Sequence, residues 1–176
     1  RSKEREKNLK KLAKLPYKIL FIDGYHEDFE ALSAYPDTVY RGAAAKEIAK
    51  DKIYYIKRGE ILQTDDVKIL CFGGADDPTD DLFSDNVPNE KDFENCLANL
   101  EKVGGSVDYI ITHSPSGRTV RFLDLNSNAT GATLDFLDIL QSKVRYKKWY
   151  FGCGHKDKYI SPKMQAVYEE VYKLGE

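Results

Sequence analysis

Apolar residues in this chain fall into short runs broken by polar, glycine-bearing turns, and their spacing changes from segment to segment. Residues 2–14 are rich in Lys and Glu, with Leu9, Leu12 and Ala13 at helical spacing. That predicts an amphipathic helix stopped by Pro16. KILFI (18–22) is continuously apolar, the pattern of a strand covered on both faces. EDFEAL (27–32) favours a short helix closed before Pro36. IYYIKRGEILQTDDVKILCF (53–72) holds three β-rich runs separated by Arg58-Gly59 and Asp65-Asp66, which reads as an antiparallel meander. After an acidic loop, Asn89 can cap a helix with Phe93, Leu97, Leu100 and Val103 on one face and Gly104-Gly105 at its end. VDYII (107–111) and KWYF (148–151) are further buried strands. Between them lie a turn at Ser114-Pro115-Ser116-Gly117, a polar stretch to about Ala129, and a helix capped by Thr130 that carries Leu134, Phe136, Leu137 and Leu140. AVYEEVY (166–172) fits either a last edge strand or a helix. The order is α/β with an antiparallel insertion, so a mixed sheet, or two packed sheets, with helices outside is expected.

Length and charge narrow the function classes. At 176 residues, 1–176 reads as one domain with a leading helix over 1–15, long enough to bury a real core. Its 41% hydrophobic and 32% charged residues are ordinary for a globular protein, which argues against disorder. A formal net charge of −2 offers no electrostatic case for nucleic acid or an anionic membrane as partner. No apolar stretch approaches the roughly 20 residues that span a bilayer, and no signal peptide is recognisable. Three widely spaced cysteines, Cys71, Cys96 and Cys153, suit a reducing cytoplasm better than a disulfide framework. Asn128-Ala129-Thr130 matches a glycosylation sequon, which carries no weight without a secretory signal. The chain begins at Arg1, so it reads as processed, trimmed or a fragment.

The chain has only three histidines, and each follows an apolar run: His26 in ILFIDGYH, His113 in VDYIITH and His155 in WYFGCGH. Loops beyond the carboxyl ends of strands are where α/β sheets bind ligands. Three histidines in three such positions predict one shared site rather than three separate loop residues. Gly24, Gly152 and Gly154 add backbone that can turn sharply and approach a ligand. Thr112 and Ser114, beside His113, have hydroxyls that can donate to a phosphate oxygen. Asp76, Asp77, Asp80 and Asp81 lack the spacing of an EF-hand and read as a solvated loop.

These residues resemble the calcineurin-like metallophosphoesterases, particularly small bacterial and phage members. That family marks its site with D-x-H, G-D, G-N-H-E/D, a lone H after a strand, and G-H-x-H. Gly24-Tyr25-His26-Glu27 is similar to the third motif, Thr112-His113 to the fourth, and Gly152-Cys153-Gly154-His155 to the fifth. FEALSAYP, RGEILQTDDVKILCFGGA, LEKVGGSVDYIITHSPS and KKWYFGCGHKDK extend the likeness over nearly the whole chain. The resemblance implies a sandwich of two mixed β-sheets flanked by helices, here without the first strands, and a metal-dependent phosphatase or phosphodiesterase. It also implies that the acidic loop lies near the substrate cleft. By the same resemblance His26 is the catalytic proton donor or transition-state stabiliser, and His113 and His155 are metal ligands.

Three departures alter that expectation. Nothing before Gly24 is similar to D-x-H or G-D, the sources of the carboxylates and of the metal bridge. Tyr25 stands where the family has a metal-binding amide, and Cys153 where it has a histidine. A pair of ions 3.5–4 Å apart needs such ligands, so at most one divalent ion (Zn, Mn or Fe) is expected, and thiolate favours Zn. One Zn held by Cys153, His113 and His155 with an open fourth position is one reading; Cys153 as a small buried hydrophobe is the other. The functional expectation is a phosphoesterase domain with impaired catalysis, or a non-catalytic descendant that binds a phosphoester or a phosphorylated ligand.

Overall fold

The computed structural model describes residues 2–64, 66–76, 85, 87–123 and 130–175, excluding the Ser2 side chain. Two mixed sheets and flanking helices make up this α/β fold. In the first sheet, β1 (Ile19–Phe21) pairs in parallel with β4 (Ile53–Ile56). β4 pairs antiparallel with β3 (Ala43–Ala49), and β3 with β2 (Asp37–Tyr40). The second sheet has the order β5 (Glu60–Gln63), β6 (Lys68–Phe72), β7 (Tyr109–Thr112), β8 (Lys148–Phe151), β10 (Met164–Ala166), β9 (Lys158–Ser161). Its four central strands are parallel to one another, and β5 and β9 are antiparallel edges.

The five helices among the described residues are α1 (Ser2–Leu12), α2 (Phe29–Ala34), α3 (Glu90–Lys102), α4 (Gly117–Phe122) and α5 (Ala132–Lys143). The larger core joins Leu70, Phe72, Ile110, Trp149 and Phe151 of the second sheet to Cys96 and Leu100 of α3 and Phe136, Leu137 and Leu140 of α5. Phe72, Phe93 and Phe136 pack ring against ring within it. A smaller core brings Ala43, Ala45, Tyr54 and Ile56 of the first sheet onto Leu62 and Cys71 of the second, so the sheets are packed on each other. All three cysteines are free. No helix among the described residues is long and apolar enough to cross a membrane.

Several elements differ from the sequence reading, each for a local reason. The three runs of 53–72 are strands, but only β5 and β6 form a hairpin; β4 belongs to the other sheet. The crossing falls at Arg58-Gly59, where Gly59 takes φ +78°. The antiparallel partners of β4 are β2 and β3, which the apolar pattern does not announce because AAAKEIA has little β-forming bulk. Their two-residue connection, Arg41-Gly42, places both residues at positive φ, the geometry of a tight hairpin turn. β1 is an edge strand with Leu20 39% exposed, so it is not covered on both faces.

Asn89 caps α3 as expected, and Asp92 completes a capping box. The buried face of α3 uses Cys96 and Leu100, however, and Leu97 is 50% exposed. The N-cap of α5 is Gly131, not Thr130. The missing cap is supplied by Asp76, whose carboxylate accepts the Thr133 and Leu134 backbone N–H groups at 3.1 and 2.9 Å. Asp76 is thus a helix cap; Asp77, Asp80 and Asp81 lie outside the described residues, as do Asn128 and Ala129. Ser114-Pro115-Ser116-Gly117 leads into α4, which Ser116 caps by accepting from Thr119 N–H. Only the first residue of AVYEEVY is in a strand; the rest belongs to an irregular C-terminal segment.

Candidate functional site

The loops after β1, β7 and β8 meet at one end of the two sheets. Backbone hydrogen bonds stitch them together. The His113 carbonyl accepts from Gly152 N–H at 3.1 Å and from Cys153 N–H at 2.8 Å, and His113 N–H donates to Phe72 O at 3.3 Å. Gly74 N–H donates to Asp23 O at 3.1 Å, which ties the β1 loop to the end of β6. Gly24 approaches the His113 ring so closely that a Cβ there would lie 3.2 Å from both Cε1 and Nδ1. Glu27 folds back to accept the Gly24 N–H at 3.3 Å.

The three histidines share this end of the fold. His26 and His155 are exposed and His113 is half-buried between them. Burial lowers the His113 pKa; Asp23 opposes the shift, and the positive charges of His155 and His26 reinforce it. Each of these groups therefore lies within electrostatic reach of His113. At neutral pH its imidazole is uncharged, with one N–H donor and one lone pair to offer. Tyr25 packs edge-on against His26, with ring centroids 4.6 Å apart. His155 takes a left-handed backbone, φ +48°, and stacks on Tyr168 at 5.0 Å.

A measurable acid sensitivity follows from His113. The unfolded chain binds its proton at an ordinary pKa of about 6.5, whereas the folded protein resists that proton. As pH falls through about 6.5, the unfolded state takes up a proton that the folded state does not, and stability drops. Wild-type protein should lose more melting temperature between about pH 7 and pH 5.5 than His113→Gln does. Equal losses in the two proteins would show that His113 titrates normally.

Beneath the histidines lies a buried ion pair that the spacing of the histidines does not reveal. Asp23 is fully buried. Its Oδ2 accepts from Arg58 Nε and Nη2 at 2.8 and 2.6 Å, and its Oδ1 accepts from Tyr55 Oη at 3.0 Å. Arg58 also donates to the Asp85 carbonyl at 2.7 Å and to Asp92 at 3.3 Å. Its guanidinium sits 5.5 Å from the Phe29 ring centroid. Burial, and next the Asp23 charge, raise the Tyr55 pKa, so the phenol stays protonated as a donor. Gly73 makes room for the pair: any side chain there would collide with Oδ1 and the backbone oxygen of Asp23. The sequence signal was a carboxylate closing the apolar run ILFI, which demands a buried cation somewhere else in the chain.

The remaining expected residues sort differently. Thr112 is not open to a ligand, because its hydroxyl donates to Ser114 O and accepts the Trp149 indole N–H. Ser116 is fully buried and bonded to Gln141 and Thr119. Cys153 is half-buried and lines a cavity of about 50 Å³ with Leu123, Phe151 and Ala166. Burial raises its pKa, which keeps the sulfur a thiol rather than a thiolate.

The donor set can be tested against a divalent ion on that basis. His113 suits a metal as a neutral imidazole, and Cys153 would have to give up its proton to an ion to serve beside it. No group of three or more His, Cys, Asp or Glu side chains converges to hold an ion among the described residues. The residues as placed do not make a three-ligand zinc site. Comparison with family models, with curated proteins and with solved structures finds no match for this chain.

Proposed function

We propose that this chain is a metallophosphoesterase-type domain that captures a phosphoester, or a phosphorylated ligand, on the loops of His26, His113 and His155, and that its turnover is impaired. The observation that carries this reading is that the loops after β1, β7 and β8, which bear the three histidines, are joined at His113: its carbonyl accepts from Gly152 and Cys153 N–H, and Gly24 lies against its ring. A phosphate group offers several acceptor oxygens, and imidazole N–H groups match them as charge-assisted donors when protonated. His26 and His155 are exposed enough to reach such a group, and His26 is the proton donor by resemblance. Neutral His113 supplies one N–H donor. A divalent ion would draw on His113 and His155, but no three His, Cys, Asp or Glu side chains converge on one point among the described residues, so no hydrolytic step is assigned to it. The binding reading gains most from that mismatch. Three free thiols are consistent with a cytoplasmic setting.

Titration with inorganic phosphate, followed through the imidazole resonances, tests the proposal. All three histidines should respond along one binding curve, and His113→Gln should weaken binding roughly tenfold, the worth of one hydrogen bond to a charged group. Three unrelated curves, or a response from one histidine alone, would mean that the loops do not form one site.

A further inference from the structure

We infer that the irregular C-terminal segment, residues 167–175, is a strap that positions the His155 imidazole, with Tyr168 as the positioning residue and Asp157 as its latch. The inference rests on the preceding reading only in counting His155 as a site residue.

The strap is tied down by polar contacts rather than by burial. Val171 is 97% exposed, and Glu169 and Glu170 are exposed as well. Asp157 instead gathers three consecutive backbone donors. Its Oδ1 accepts Tyr168 N–H at 2.8 Å, and its Oδ2 accepts Glu169 N–H at 2.8 Å and Glu170 N–H at 3.2 Å. Val167 N–H bonds to Phe151 O at 2.9 Å at the start of the segment, and Gly175 N–H bonds to Tyr150 Oη at 3.2 Å at its end. The segment is therefore fastened at both ends and latched in between.

What the latch places is Tyr168. Tyr168 is 54% exposed, so it contributes little as a core residue. Its ring lies nearly parallel to the His155 ring, 28° between planes and 5.0 Å between centroids. A stack of this kind covers one face of the imidazole and leaves its edge, which carries both nitrogens, uncovered. His155 also holds a left-handed backbone, uncommon for a residue other than glycine although histidine is among those enriched there. The stack, latched through Asp157 two residues along the chain, sits on the side chain of this residue. The stack thereby holds the imidazole plane at the loop that follows β8.

Imidazole resonances of the full chain provide the test. Tyr168→Ala and Asp157→Ala should both remove the ring-current shift on the His155 carbon-bound protons, and Tyr168→Phe should retain it. His113 resonances should stay in place in all three, which also reports an intact fold. Amide exchange at residues 168–170 should be roughly tenfold faster in Asp157→Ala, the loss of charge-assisted bonds. Asp157→Asn, which keeps one acceptor oxygen, should fall between. Unmoved His155 resonances in both alanine variants, or Tyr168→Phe behaving like Tyr168→Ala, would overturn the strap. In a phosphate titration, Tyr168→Ala should bind several-fold more weakly than wild type and Tyr168→Phe should match it. If His155 responds to the variants as stated while wild type binds no phosphate, the strap stands and the phosphoester reading falls.

Discussion

Replacing Arg58 with methionine is expected to destabilise the protein by about 3–5 kcal/mol, the cost of leaving a buried charge without its partner. Asp23 has no route to water where it lies, and two of its three side-chain hydrogen bonds come from Arg58. Tyr55 alone cannot neutralise the carboxylate. The same substitution also removes the Arg58 donors from the Asp85 carbonyl and from Asp92, which keeps its capping-box bond to Asn89 N–H at the entry to α3. Removing both charges should be milder than removing one: Asp23→Asn with Arg58→Met leaves polar groups but no isolated ion. Urea unfolding of the three variants measures this directly. If Arg58→Met unfolds within about 1 kcal/mol of wild type, the pair is a spectator. The consequence reaches the site, because Asp23 immediately precedes Gly24, and Gly24 lies against the His113 ring. His113 resonances should therefore move in Arg58→Met even where the protein remains folded.

That ion pair also marks the boundary of what the sequence discloses. The central strands β7 and β8, helix α3 with its Asn89 cap, and the body of α5 are legible because their apolar spacing is strong and local. So is the position of His26, His113 and His155 on the loops that follow β1, β7 and β8, since each comes directly after an apolar run. What stays hidden is set by contacts between distant segments. β2 and β3 are held by pairing with β4 rather than by their own composition, and alanine announces no strand. The split of residues 53–72 between two sheets depends on which strands β4 and β6 pair with, and the partner of Arg58, Asp23, lies 35 residues away. Asp76 looked like one acid among several until the uncapped α5 found it, 57 residues on. Thr112 looked like a phosphate donor beside His113, and the Trp149 indole occupies it. Tyr168 and Asp157 form no motif at all; only the fold places Tyr168 on His155 and Asp157 under the Tyr168 backbone.

Hydrolysis of a generic aryl phosphodiester by this chain, with Mn²⁺ or Zn²⁺ added, is expected to be negligible. Metal-assisted cleavage needs an activated hydroxide and a clamp on the developing charge, and losing both removes many powers of ten in rate. The described residues bring His113, His155 and a Cys153 thiol near the site, without three convergent ligands. The carboxylate next to the His26 loop, Asp23, is spoken for: Arg58 and Tyr55 hold both of its oxygens. Tyr25→Asn with Cys153→His would supply an amide and an imidazole at the positions where the resembling family carries them. The pair should still give no turnover, because neither substitution brings a bridging carboxylate. An added segment bearing D-x-H and G-D, combined with both substitutions, should restore it. Release of the aryl alcohol across the three proteins, with and without chelator, separates these cases. Chelator-sensitive turnover by the unaltered chain would refute the account, and would mean that the metal is held by residues other than Cys153, His113 and His155.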